Sequence, residues 1–383
     1  MATGIIGNHP ELPVARPPTC LPQCGLKWPC AGRSGRADRK DRAPGLAYLL
    51  APLAVVTLLL QPGAAAANSV EDFYRGKTVN LSVGFTTGGG YDLHARTLAR
   101  YMSKYIPGAP KIIVKNVPGA AGLVLANSLY NTLPRDGTEL ATFDRAIPLE
   151  PLLDPEAARF DTLKLNWIGS TDNDASTCFA WHTARVKTFN DLLEQELIVG
   201  ATGSIGDAVS FPRLLNAVLK TKFKVITGYP GSNEAMLAIE RGETQGFCSM
   251  GFPTLEIARP DWLRDKKVNV LVQLGLQKNR DHPEVPLALE FAKNEADRQA
   301  IELIVSPNLF ARPFAAPPNV PEERVQALRK AFNATMRSQE YLAETETRKI
   351  HVQLVTGEEI DSVLRKIYAM PRDVVTRVRA AIK

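Results

Sequence analysis

Along most of this chain, short apolar runs of strand length alternate with longer stretches at helical spacing. Thr78-Val79-Asn80-Leu81-Ser82-Val83 reads as a strand and Gly88-Gly89-Gly90 as a break. Tyr91 to Ile106 then places Leu93, Ala95, Leu98, Ala99 and Met102 mostly on one side of a helix. Lys111 to Lys115 predicts a strand, Asn116 to Gly122 a second glycine-bearing turn, and Leu123 to Thr132 a helix. Pro134-Arg135-Asp136-Gly137 is a turn before the strand Thr138 to Phe143. Asn166 to Gly169 and Thr177 to Trp181 read as short strands, Phe189 to Glu196 as a helix and Leu197 to Gly200 as a strand. Thr202 to Asp207 leads into a helix over Ala208 to Lys220. Strand Phe223 to Thr227 leads through Gly228 to Glu234 into a helix over Ala235 to Arg241, and Thr244 to Ser249 closes the series as a strand. Such alternation predicts an α/β fold.

The C-terminal part reads as helical. Pro321 to Arg337 is one helix, with Pro321 suited to its first turn. Another begins at Glu358, where Thr356 and Glu359 have capping-box spacing, and Pro371 interrupts it before Arg372 to Ile382. Ahead of these helices, Pro307, Pro313, Pro317 and Pro318 predict a stiff loop.

The N-terminal region departs from this pattern. Arg33, Arg36, Arg39, Lys40 and Arg42 precede the apolar run Leu46 to Leu60, and Pro62-Gly63-Ala64-Ala65-Ala66-Ala67 supplies a break and an A-x-A site. Residues 33–67 therefore read as a secretory signal cleaved near Ala67, and residues 1–32 as an extension or mis-assigned start without a fold of its own. The apolar run is shorter than the ~20 residues of a membrane anchor. Export places the chain in the periplasm and in an oxidising compartment. Cys178 and Cys248 are the two cysteines after the leader, so one disulfide is compatible with that compartment; sequence alone does not bring their Cα atoms together.

Removing the leader also changes the charge. The whole chain has 383 residues and a formal charge of +6. The first 67 residues hold seven bases (Arg16, Lys27, Arg33, Arg36, Arg39, Lys40, Arg42) against three acids (Glu11, Asp38, Asp41), leaving 39 bases and 37 acids interspersed in the rest. A nearly neutral, mixed surface argues against nucleic-acid binding.

The recurring chemistry is a strand, a turn rich in Gly, Ser or Asn, and a helix, seen four times. Glycine permits a tight turn and close approach, and the first helical turn leaves N–H groups free, so these junctions suit an anion held by neutral donors. In open α/β sheets they gather at the carboxyl ends of strands, where ligands bind. No Gly-Lys-Ser/Thr follows the glycines, so a P-loop is not matched. Ser204 lacks the first glycine of a nucleophile elbow. Cys178 and His182 would be about 13 Å apart in a strand. His94, His282 and His351 show no metal-ligand spacing. No catalytic residue, metal or cofactor is expected. Asp92 suits an N-terminal helix position, Arg96 and Arg100 a solvated face, and Arg145 a strand-end meeting with a carboxylate.

Taken in order, these junctions resemble the Bug-type solute receptors of tripartite tricarboxylate transporters. Val83 to Asp92 is similar to that family's first loop, and Asn116-Val117-Pro118-Gly119-Ala120-Ala121-Gly122 to its Asn-x-Pro-Gly-Ala-x-Gly motif. Arg135 to Leu140 is similar to its Asp-Gly turn, Gly203-Ser204-Ile205-Gly206 to the glycine loop of its second domain, and Tyr229-Pro230-Gly231-Ser232 through Glu243 to its Tyr-x-Gly segment. The resemblance implies a type II-like, two-lobe periplasmic binding protein, its lobes joined by two crossing strands with the ligand cleft between them. Residues 70–176 plus 304–383 would form the first lobe and 177–303 the second. A small organic acid would be enclosed by hinge closure and delivered by a monomeric receptor to membrane permease subunits. Phe85, Thr86, Gly88, Gly89, Gly90, Tyr91, Asp92, Arg145, Ser170, Ser204, Ile205, Gly206, Asp207 and Tyr229 would line the site, with backbone N–H groups of Gly89, Gly90, Ser204 and Ile205 on carboxylate oxygens. Tyr91, Asp207 and the cysteines depart from the family's usual residues. The alternatives are a secreted α/β hydrolase or transferase and a sensory receptor for a regulatory partner.

Overall fold

The computed structural model describes residues 69–383, so the expected leader (33–67) and the 1–32 extension lie outside the described residues. The strands are β1 (Thr78–Val83), β2 (Lys111–Asn116), β3 (Glu139–Thr142), β4 (Asn166–Ser170), β5 (Ser176–Trp181), β6 (Leu197–Thr202), β7 (Phe223–Tyr229), β8 (Gly246–Met250), β9 (Val268–Leu274), β10 (Pro313–Ala316) and β11 (Val355–Thr356). They form two sheets, ordered β11-β4-β10-β3-β1-β2 and β7-β6-β8-β5-β9.

Both sheets are mixed in the same way. β1 runs parallel to β2 and β3, and β6 runs parallel to β7 and β8. Beside each parallel set lies an antiparallel strand that arrives from the other sheet: β10 next to β3, and β5 next to β8. The chain therefore crosses between sheets twice, after β4 and before β10. The two crossings are bonded to each other, since Ala311 N donates to Asp172 O (2.8 Å) and Thr171 N to Arg312 O (3.3 Å). This is the expected α/β, two-lobed arrangement.

Local chemistry explains the elements. The helix Gly90–Met102 starts from the extended Gly89, and the Asp92 carboxylate accepts the Gly88 N–H (2.9 Å) that its first turn leaves free. Its Ala95, Leu98 and Met102 are buried against the sheet. The helix Gly357–Tyr368 carries the capping box of Thr356 and Glu359, and Arg372–Ile382 forms separately after Pro371. Trp167, 0% exposed, meets Phe143 edge to face at 6.0 Å in the first lobe's core; Trp262 meets Phe179 at 6.0 Å in the second.

Two expectations change. The stretch around Pro313 is not a loop: β10 is a fully buried central strand between β3 and β4. Proline is tolerated there because it is the first strand residue, and the alanines after Phe314 fit between two covered faces. The second is the set of elements between 252 and 305, for which the sequence reading gave none: β9 and the helices Phe252–Ala258, Pro260–Arg264 and Glu295–Val305.

Cys178 and Cys248 are registered opposite each other on β5 and β8, with Cα atoms 4.0 Å apart, and are joined as a disulfide in the second lobe's sheet.

Candidate functional site

The carboxyl ends of the parallel strands from both sheets converge on one chamber with a cavity volume of about 40 Å³. β1 delivers Phe85 and the glycine loop, β3 delivers Asp144 and Arg145, and β6 delivers Thr202 and Asp207. β7 and β8 add Ser232, Ser249 and Met250, and the second crossing adds Arg312. This is where an open α/β sheet binds ligands.

Several side-chain contacts hold the cleft together in this structure. Arg145 Nε lies 3.2 Å from Asp207 Oδ2, both side chains almost wholly buried. Thr86 Oγ1 donates to Glu234 Oε1 (3.2 Å), and Arg312 Nη2 donates to Thr254 Oγ1 (3.1 Å). Backbones also meet: a Cβ on Gly203 would stand 2.7 Å from Ala121 N, and one on Gly206 would stand 2.8 Å from Ala121 Cβ. Gly203 and Gly206 have φ of +84° and +95°, so glycine serves both the turn and the close approach.

The charges are unequally satisfied. Besides its ion pair with Asp207, Arg145 donates through Nη1 to Asn308 Oδ1 (2.7 Å), while its backbone N–H donates to Tyr91 Oη (2.9 Å). Asp144 Oδ1 accepts from Ala146 N (2.9 Å) and Asp207 N (3.2 Å). Burial, and then the adjacent Asp207, push the Asp144 carboxyl well above the usual carboxylate range. Burial also pushes the Tyr91 hydroxyl up to about 12.

Arg312 differs. It is 4% exposed, stacks over the Tyr91 ring at 4.5 Å, and donates to its neighbour's carbonyl, Ala311 O, and to Thr254. Its Nε has no partner, and no carboxylate among the described residues lies within ion-pair distance. A Cβ on Gly90 would stand 3.1 Å from its Nη2, so the glycine loop leaves the guanidinium its space. Asp172 is the buried carboxylate whose charge it feels, and Asp172 is itself paired with His351, so an anion entering the chamber would supply the guanidinium with its missing ion-pair partner.

Of the residues expected at the site, Phe85, Thr86, Gly89, Gly90, Tyr91, Arg145 and Asp207 line the chamber. Gly88 lies beside it, facing Asn233. Asp92 is turned away, held by Arg96 and Asn116 as well as Gly88. Ser170 serves the crossings: its Oγ accepts from Arg312 N (2.9 Å) and donates to Asp172 O (2.8 Å). Ser204, Ile205 and Gly206 line a separate depression with Glu150 and Arg213, because the tight Gly203 turn carries them past the chamber. The Tyr229 ring packs over Gly200. The sequence reading did not nominate Asp144, Thr202, Gly231, Ser232, Phe247, Ser249, Met250, Thr254 or Arg312. Position at a strand's carboxyl end could have nominated Asp144, Thr202, Ser249 and Met250, whereas Arg312 carries no local signal.

Comparison with known proteins agrees with this fold. No family model matches the chain. The "UPF0065 protein in gbd 5'region" of Cupriavidus necator is 26% identical over 296 residues, covering 75% of this chain and 83% of that one. The periplasmic binding protein BugD superposes with a TM-score of 0.64 at 17% identity, covering 80% of this chain and 98% of that one. MatC of Rhodopseudomonas palustris, solved with bound malate, gives a TM-score of 0.60 at 19% identity, covering 80% and 99%. The chain is similar in sequence to the first protein and in fold to the other two.

Proposed function

We propose that this protein is an extracytoplasmic receptor that captures a small organic acid between its lobes and hands it to a tripartite tricarboxylate-type permease. The observation that carries the reading is Arg312, a buried guanidinium without a carboxylate partner in the inter-lobe chamber. Beside it lie the Gly89 and Gly90 backbone and the hydroxyls of Ser232, Ser249 and Thr254, a set of neutral donors suited to carboxylate oxygens. The leader-like segment 33–67 supports a periplasmic location. The malate seen in a structural neighbour supports an organic acid as ligand class.

Asp144 and Asp207 face each other as an acid–base pair would, yet Arg145 neutralises Asp207 and backbone N–H groups occupy Asp144. The pair is better suited to latching the lobes than to turnover. The test is calorimetry of the exported protein with mono-, di- and tricarboxylates, alongside Arg312→Met. A hit at a hundredfold excess over its Kd raises stability by about 2.7 kcal/mol. Absence of binding across the panel sinks the organic-acid reading, and turnover of any ligand sinks the receptor reading.

A further inference from the structure

The chamber's charges restrict which acids it can hold, an argument that rests on the organic-acid reading above. Arg145 is committed to Asp207 and Asn308. That leaves Arg312 as the one lining cation, among the described residues, without a carboxylate. With Asp144 protonated the four charged side chains sum to a single positive charge; with Asp144 ionised they sum to zero. In neither state is there a partner for a second negative group on the ligand. Such a group would meet Asp144 and Asp207 inside or Glu234 at the Thr86 side of the cleft. An ammonium fares no better, because Asp207 already faces Arg145 and Asp144 already accepts the Ala146 and Asp207 N–H groups. The remaining wall is uncharged and mixed: Phe85 stacks on Tyr91 with centroids 4.6 Å apart, Phe247 and Met250 face them from the other lobe, and the hydroxyls of Thr202, Ser232, Ser249 and Thr254 lie between.

We infer that the cleft is selective for solutes carrying one carboxylate on an otherwise uncharged body, with Arg312 as the counter-ion and the Asp144–Asp207 pair as the excluding charge. Burying a second, unpaired carboxylate should weaken binding by roughly tenfold or more.

The test compares skeleton-matched acids by calorimetry on the full chain, expressed with its own leader and recovered after export. The sets are butyrate, succinate and 2-aminobutyrate; hexanoate and adipate; benzoate and phthalate. The expected result is that at least one monocarboxylate binds at least ~10-fold tighter than its charged counterparts. Tighter binding of succinate, adipate, phthalate or 2-aminobutyrate overturns the single-charge inference and leaves the organic-acid receptor standing. Binding of none overturns both. A second arm uses Asp207→Asn, which releases Arg145: the preference should move toward the dicarboxylate by ~10-fold or more. An unchanged ratio in the folded variant overturns the role given to Asp207.

Discussion

The guanidinium of Arg145, on the turn after β3, lies 3.2 Å from the carboxylate of Asp207, the first residue of the helix after β6. One residue belongs to each sheet's ligand-facing edge, so the ion pair exists only while the edges are together. It is almost fully shielded from water, and opening the cleft would hydrate both partners at once. Closure is thus stabilised by contacts that span the cleft, among them the approach of Gly203 to Ala121 and the bond of Arg312 to Thr254.

Arg312→Met should separate binding from stability. The arginine is buried without an ion-pair partner, so an apolar side chain of similar length should leave the unliganded protein as stable or more so. Affinity for a carboxylate should fall by about 2–5 kcal/mol, since the ligand's charge would then be buried unpaired. Thermal unfolding without ligand and calorimetry with it check the two halves. A variant that binds normally removes Arg312 from the site.

Gly203→Ala should hold the cleft open. The added Cβ would stand 2.7 Å from the Ala121 backbone nitrogen across the cleft, at a φ of +84° that alanine tolerates poorly. Each lobe can fold without that contact, so cooperative unfolding should persist while ligand affinity falls by roughly tenfold or more. Small-angle scattering should show a larger radius of gyration than wild type. An unchanged radius with unchanged affinity would remove this contact from closure.

Stability should depend on pH through Glu150. Its carboxyl, 4% exposed, is raised from 4.5 to about 7 by burial and then by Asp154, against a hydrogen bond from the Gly206 backbone. The folded state therefore holds the proton more tightly than the unfolded chain. The group's stabilisation is complete below about pH 4.5 and is lost as pH rises through about 7. The loss is on the order of 3 kcal/mol. Glu150→Gln should flatten urea-unfolding stability between pH 5 and about 7.5 and exceed wild type above it. Parallel curves would refute the assignment.

Breaking the Cys178–Cys248 bridge should cost stability. The cysteines are 70 residues apart in sequence, and the bridge spans neighbouring strands in the second lobe's core. Cys178→Ala with Cys248→Ala should lower unfolding free energy by about 2–5 kcal/mol. Reductant should lower wild-type stability similarly and leave the double variant unaffected. No difference in denaturant midpoint would mean the bridge is not formed in solution.

Much of the fold was legible in the chain. Four strand–turn–helix junctions, the capping box at Thr356 and the break at Pro371 are local features, written in residues adjacent in sequence and governed by backbone freedom and free N–H groups. They sufficed for an α/β fold and for placing Gly89, Gly90, Tyr91, Arg145 and Asp207 at the ligand-facing edge. The two crossings were implied by the family resemblance rather than by any local pattern, and the burial of β10 was not legible: a proline-rich stretch looks like a loop until neighbouring strands cover both its faces.

What sequence alone determined was where strand–turn–helix junctions with free N–H groups lie along the chain. What only the tertiary structure decided was which charges remain free to bind an anion. Charge pairing depends on distance through space: Asp207 reaches Arg145 across the cleft, Asp92 turns to its own helix, and Ser204 is carried past by a glycine turn. Arg312 is left beside the glycine loop without a partner because the second crossing brings it back from a distant part of the chain into a space from which water is largely excluded.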